Sequence, residues 1–135
     1  MKTDPNCIFC KIIAREIPAE IVYEDNEHLA FLDINPSAPG HTLLIPKAHK
    51  QWWLELTDHE SNSLFNAARK IGTSLKESLG SDFVRLNITG TDINHVHIHL
   101  IPLCISDKHS MNNRVGYDKT NPSRLSAKIR KNLSF

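Results

Sequence analysis

No stretch of this 135-residue chain approaches the roughly 20 consecutive apolar residues of a membrane span, and the opening MKTDPNCIFC lacks the apolar core of a signal peptide. Net charge is almost absent. Sixteen basic against fifteen acidic residues leave +1, so no overall field draws the chain to nucleic acid or to an anionic membrane. Cysteine is scarce at three, too few for a disulfide framework, which points to a reducing cytoplasm. Internal repeats, low-complexity tracts and linkers are missing before about residue 104. This length supports one domain, residues 1–135, with a real core. The 40% hydrophobic and 23% charged content is that of an ordinary globular protein.

Histidine, by contrast, is plentiful at eight, and three of them stand in His95-Val96-His97-Ile98-His99. A strand over Ile93–Pro102 sends Ile93, His95, His97, His99 and Ile101 to one face and Val96, Ile98 and Leu100 to the other. Neighbouring imidazoles then lie roughly 6.6–7 Å apart along the strand. A single buried strand histidine is ordinarily a hydrogen-bonded core residue. Three in strict alternation put a row of costly polar groups on one face, which points to a site.

Elsewhere the pattern predicts an α+β domain. CIFCKIIA (7–14) reads as a short helix with Cys7 and Cys10 on one face. Ile21–Tyr23 and Leu29–Leu32 read as strands around a hairpin at Glu24–Glu27. Asn35–Gly40 is a loop, Thr42–Ile45 a strand stopped by Pro46. Thr57 and Glu60 have capping-box spacing, and Leu64, Phe65, Ala68, Ile71, Leu75 and Leu79 then recur at helical period until Gly80. Asp82–Ile88 and Ile93–Pro102 complete an antiparallel sheet of about five strands. Ser106–Asn121 is polar loop. Pro122–Leu133 is a short basic helix exposing Arg124, Lys128, Arg130 and Lys131.

Three imidazoles on a strand suit two chemistries. One is a catalytic zinc with histidine ligands, although three nearly collinear residues converge poorly on one ion. The other is nucleophilic attack on phosphorus, with a central imidazole forming a phosphoimidazole and its neighbours binding phosphate oxygens. The segment HVHIHLIP, with PGHTLLIPKAH upstream and CIFCKI near the start, resembles the histidine-triad (HIT) family of nucleotide hydrolases and transferases. Within it the likeness is greatest to the small phosphoramidase-like branch. The resemblance runs from about Asn6 to Leu103, leaving 104–135 as a tail.

That resemblance implies the HIT fold and a nucleotide hydrolase acting on a purine nucleoside phosphoramidate or related conjugate. His97 is its nucleophile toward the α-phosphate, its Nδ1 proton held elsewhere, often by a backbone carbonyl. His99 donates to a phosphate oxygen and His41 supports the site. Phe31 and Ile34 wall the base, and Asp33 accepts from the ribose hydroxyls, although its position before Asn35-Pro36 equally suits a turn. Asn87 lies near phosphate and nucleoside. The family also implies a homodimer and, through Cys7, Cys10, His49 and His95, one closed structural zinc per chain. Cys-x-x-Cys alone could be two reduced thiols. His28, His59 and His109 read as surface residues.

The match departs from the family just upstream of the triad. Where members usually carry Gly-Gln-Ser/Thr, this chain has Gly90-Thr91-Asp92, so a carboxylate replaces the hydroxyl that helps protonate the leaving group. Thr91 or Thr89 could supply a hydroxyl, or a protonated Asp92 the acid. The same departure leaves open a nucleotide-binding regulatory module with little turnover. A metal-dependent hydrolase using the triad as ligands is a third reading.

Overall fold

The computed structural model describes residues 1–105 and 121–133. The loop expected over Ser106–Asn121 therefore lies, but for its last residue, outside the described residues, and so does His109.

Asp25 makes the first corner. Its Oδ1 accepts the amides of Glu27 and His28, both at 2.7 Å, and this turns β1 (Ile21–Glu24) into β2 (His28–Leu32) as an antiparallel hairpin. β3 (Thr42–Pro46) pairs with β2, β5 (Ile98–Leu103) with β3, and β4 (Phe83–Ile88) with β5. The result is one five-stranded antiparallel sheet in the order β1-β2-β3-β5-β4. It is the α+β architecture expected.

Both faces of β2 and β3 are covered, which is why they read as continuous apolar runs. Period-two alternation sends Leu29, Phe31, Leu43 and Ile45 to one face and Ala30, Leu32 and Leu44 to the other. On the first face sits α1 (Ile8–Ile13), burying Phe9 and Ile12. On the second lies α2 (Asp58–Leu79). Its capping box is formed: Thr57 Oγ1 accepts from the Glu60 amide at 3.1 Å and Glu60 Oε1 from the Thr57 amide at 2.9 Å. Gly80 ends it in the left-handed conformation, φ 61°. The expected apolar stripe is buried except at Phe65, which packs at the rim. α3 (Pro122–Lys131) adds Leu125 and Ile129 to this core, and Ser74 Oγ donates to the Ile129 carbonyl at 2.6 Å. Its basic face is exposed, as the sequence predicts.

Two expectations need correction. The strand carrying the histidine row begins at Ile98 rather than Ile93, so only His99 lies within it. The preceding backbone bonds elsewhere: the His95 amide donates to Ile93 O at 2.9 Å and the Val96 amide to Lys50 O at 2.7 Å. His28 is not a surface residue. It is buried, with Nδ1 3.1 Å from Asp25 Oδ2 and Nε2 3.2 Å from Ser63 Oγ. His59, as expected, is exposed and pairs with Glu27.

Gly40 lets the loop before β3 pass beneath the end of α2. Its φ is +83°, and an added Cβ would stand 2.1 Å from Leu79 Cδ1 and 3.1 Å from Pro102 Cγ. Gly40→Ala therefore costs about 1–3 kcal/mol, read as a lowered midpoint in urea unfolding. An unchanged midpoint would refute the close approach.

The core also holds imidazoles in neutral form. Burial pushes His95 from 6.5 down to about 4 and lowers His41 and His99. The unfolded chain then takes up these protons first, so stability falls as pH drops below about 6.5. For His95 the loss is complete near its folded value of about 4, and amounts to about 3 kcal/mol. Urea midpoints at pH 7 and pH 5 measure this; equal midpoints would contradict it.

Candidate functional site

Between α1, the end of β2 and the irregular segment before β5 lies a cavity of about 380 Å³. Phe9, Phe31, Ile34, Leu43 and Ile93 give it apolar walls, and Asp33, Asp92, His97 and His99 bring polar groups to it. A mostly apolar cleft with few convergent polar groups is the usual form of a small-molecule site.

The hydrogen bonds assign each imidazole its proton. A backbone carbonyl only accepts, so the 2.7 Å contact from His97 Nδ1 to His95 O puts the proton on Nδ1. His97 Nε2 is then a lone pair, buried and without a hydrogen-bond partner among the described residues. Asp92 Oδ1 lies 3.4 Å from it but outside hydrogen-bonding geometry. Phe9 packs edge-to-face on the His97 ring at 5.2 Å.

A backbone amide only donates, so Ser37 N at 3.0 Å makes His41 Nδ1 an acceptor and places the His41 proton on Nε2. That Nε2–H faces His99 Nδ1 at 2.9 Å, with Asp33 Oδ2 3.5 Å away. His99 Nδ1 accepts, leaving a donor N–H on its Nε2. Burial holds both rings below the usual imidazole range; His99 is lowered further by the neighbouring His97, and His41 by His99. Both are neutral near pH 7, as this proton arrangement requires. The His97 and His99 rings stand 5.0 Å apart.

His95 turns to the other side. Its Nε2–H donates to Pro46 O at 2.8 Å, which frees Nδ1 as a ligand. Around that atom stand Cys7 Sγ at 3.3 Å, Cys10 Sγ at 3.6 Å and His49 Nδ1 at 3.2 Å, with Cys10 Sγ 3.5 Å from His49 Nδ1. Ligands on a tetrahedral zinc are separated by about 3.4 Å for two nitrogens and about 3.6 Å for sulfur and nitrogen. The donor set and its spacing fit that ion. Burial, reinforced by the adjacent Cys7 thiol, pushes Cys10 up to about 11. Holding Cys10 as a thiolate at neutral pH therefore needs a cation beside it.

The remaining sequence candidates divide. Phe31, Asp33 and Ile34 line the cavity, with Ile34 90% exposed at its mouth. Asp33 also makes the turn, its Oδ1 accepting from the Asn35 amide at 2.9 Å. Asn87 is opposite His99 across β4 and β5, on the same face but exposed at the sheet edge. Thr91 is exposed and lies off the cavity wall, as does Thr89. Asp92 is an ionised carboxylate: burial raises its pKa, but the amides of Ile93 and Asp92 and the nearby His97 and His99 outweigh that and lower it. It is not the protonated acid the sequence allowed.

Sequence reasoning missed Phe9, Ile93, Ser37 and Pro46. Phe9 had a signal, since it stands inside Cys7–Cys10. The roles of Ser37 and Pro46 belong to backbone atoms and leave none.

A family model for the HIT domain matches residues 14–104. An uncharacterized HIT-like protein of Methanocaldococcus jannaschii is 46% identical over 101 residues, covering 71% of this chain and 78% of its own. Adenosine 5'-monophosphoramidase of Saccharomyces cerevisiae is 39% identical over 102 residues, covering 73% of this chain and 63% of the yeast protein. Among solved structures, a zinc-bound histidine triad family protein from Mycobacterium smegmatis superposes with a TM-score of 0.79 at 28% identity, covering 94% of this chain and 92% of that one. Motif, fold and similarity agree: this chain belongs to the HIT domain family.

Proposed function

We propose that this protein is a nucleotide hydrolase that cleaves the α-phosphate bond of a nucleoside phosphoramidate or related nucleotide conjugate through a nucleotidyl-His97 intermediate. The observation that carries this reading is the buried, unpartnered Nε2 of His97 whose opposite nitrogen is pinned to His95 O. A lone pair fixed in direction and facing a cleft is what in-line attack requires.

The Nε2 pair attacks phosphorus, and the bond to the leaving group breaks with its electrons on that group, which takes a proton from solvent. Water then attacks phosphorus and gives up a proton, and the P–N bond electrons return to Nε2. His99 Nε2–H faces the phosphate as a donor, held in that form by His41 and the Ser37 amide. Asp33 takes the ribose hydroxyls, and Phe31 and Ile34 flank a purine base at the apolar end of the cleft. Asn87, opposite His99 on β4, and Thr91 are assigned to the phosphate side by the family resemblance. The yeast relative's activity on an adenosine monophosphoramidate supports this substrate class. Catalysis by the triad as metal ligands is disfavoured, because His99 presents a proton rather than a lone pair.

Zinc fits Cys7, Cys10, His49 and His95 as a closed structural ion. When bound it ties α1 to the segment before β5. The free thiols suit a cytoplasmic location. We place the working form as a homodimer joined through β4, an edge strand that leaves Phe83 and Leu86 exposed.

The exposed Asp92 beside the nucleophile favours a second reading, a nucleotide-binding module with little turnover. Adenosine 5'-phosphoramidate separates the two. The hydrolase reading expects turnover, a nucleotidyl adduct mapped to His97, and a loss of at least a thousandfold in His97→Ala. Normal turnover by that variant would sink the mechanism, and tight nucleotide binding without turnover would favour the module.

Metal analysis tests the zinc site. The purified chain should carry one zinc, and Cys7→Ser/Cys10→Ser should lose it and melt at a lower temperature. Equal zinc content in both would place the ion elsewhere.

A further inference from the structure

Asp92 stands where no neutral residue could have the same effect. Its carboxylate shares the cavity with His97 and His99, and its Oδ1 is 3.4 Å from the nucleophilic Nε2, beside the lone pair rather than on its axis. The side chain is 61% exposed and its carboxylate is held by the amides of Ile93 and Asp92, which fix its charge beside the nucleophile. The second carboxylate of the cavity, Asp33, is engaged by the Asn35 amide and faces His41. Among the described lining residues there is no lysine or arginine. Sites for phosphate chains or sulfate ordinarily supply such cations. Here the α-phosphate meets only neutral imidazole donors, and anything beyond it meets a carboxylate.

Building on the hydrolase reading above, we propose that Asp92 determines leaving-group specificity: its carboxylate selects nucleotide conjugates whose leaving nitrogen is protonated as the P–N bond breaks over those that release an anion such as phosphate or sulfate. In an in-line displacement the leaving atom lies about 5 Å from Nε2, beyond phosphorus. For an amidate, nitrogen takes a proton from solvent before the P–N bond breaks, so the departing –NH3+ group carries positive charge toward Asp92. The electron pair stays on nitrogen, and the amine leaves neutral and takes up a further proton in solvent. For a phosphoanhydride or a phosphosulfate, the P–O electrons stay on oxygen and negative charge accumulates there. A unit charge about 6 Å from the carboxylate changes the transition state by about tenfold at an effective dielectric between the surface and bulk values. The sign is opposite for the two leaving groups.

The test compares kcat/KM of the wild-type protein, Asp92→Asn and Asp92→Ser at low ionic strength, where an exposed charge is least screened. The substrates are adenosine 5'-phosphoramidate, diadenosine tetraphosphate and adenylyl sulfate. Taking each substrate's variant-to-wild-type ratio cancels intrinsic reactivity. We expect both substitutions to raise the ratio for the two anionic leaving groups by about tenfold and to lower it for the amidate by about tenfold, a spread of about a hundredfold, and added salt to shrink the difference. A common factor for all three substrates, or a larger gain for the amidate, would overturn the assignment while leaving the hydrolase reading intact. No turnover of any substrate by any of the three proteins would remove both.

Discussion

Every buried imidazole of the site has one nitrogen committed to the main chain. The Pro46 carbonyl takes the His95 proton, the His95 carbonyl takes the His97 proton, and the Ser37 amide fills His41 Nδ1. Neutral imidazole has one donor and one acceptor, so fixing one nitrogen dictates the other. The free Nδ1 of His95, the free Nε2 of His97 and the Nε2–H of His99 follow from these bonds. His95 links the two clusters, since its ring faces the cysteines while its carbonyl orients the His97 ring. Phe9, carried on the helix between those cysteines, packs against the rings of both His95 and His97.

No lysine or arginine is among the described residues that line the cleft. Burial lowers His41, His95 and His99, so the rings remain neutral where exposed imidazoles begin to take up protons. A lysine or arginine in the cleft would bind phosphate more strongly. It would also attract anionic ligands of every kind. The neutral row offers direction rather than charge, and among the described lining residues the carboxylates of Asp33 and Asp92 are the charged groups.

The fold was legible wherever side chains alone decide it. Thr57 and Glu60 marked the start of α2, Gly80 its end, and the alternating runs of β2 and β3 marked the sheet. The grouping of Cys7 and Cys10 with His49 and His95 was legible through family resemblance, and the donor atoms converge. What was not legible lay in backbone bonding. Nothing in the alternation of His95, His97 and His99 says that Val96 will donate to Lys50, or that the strand will begin only at Ile98. His28 was misread because an isolated histidine next to a turn has no apolar pattern of its own, while its partners Asp25 and Ser63 come from separate elements.

The late start of β5 leaves the His95 carbonyl outside the sheet ladder, available to its neighbour two residues on. A carbonyl of this kind is encoded by no particular codon. Side-chain replacement at Pro46 or His95 leaves the oxygen in place, and only proline at position 37 would delete the amide that serves His41. Inherited variation can thus erase the His97 imidazole itself in one step. The proton pattern that frees its Nε2 yields only to changes in the path of the chain.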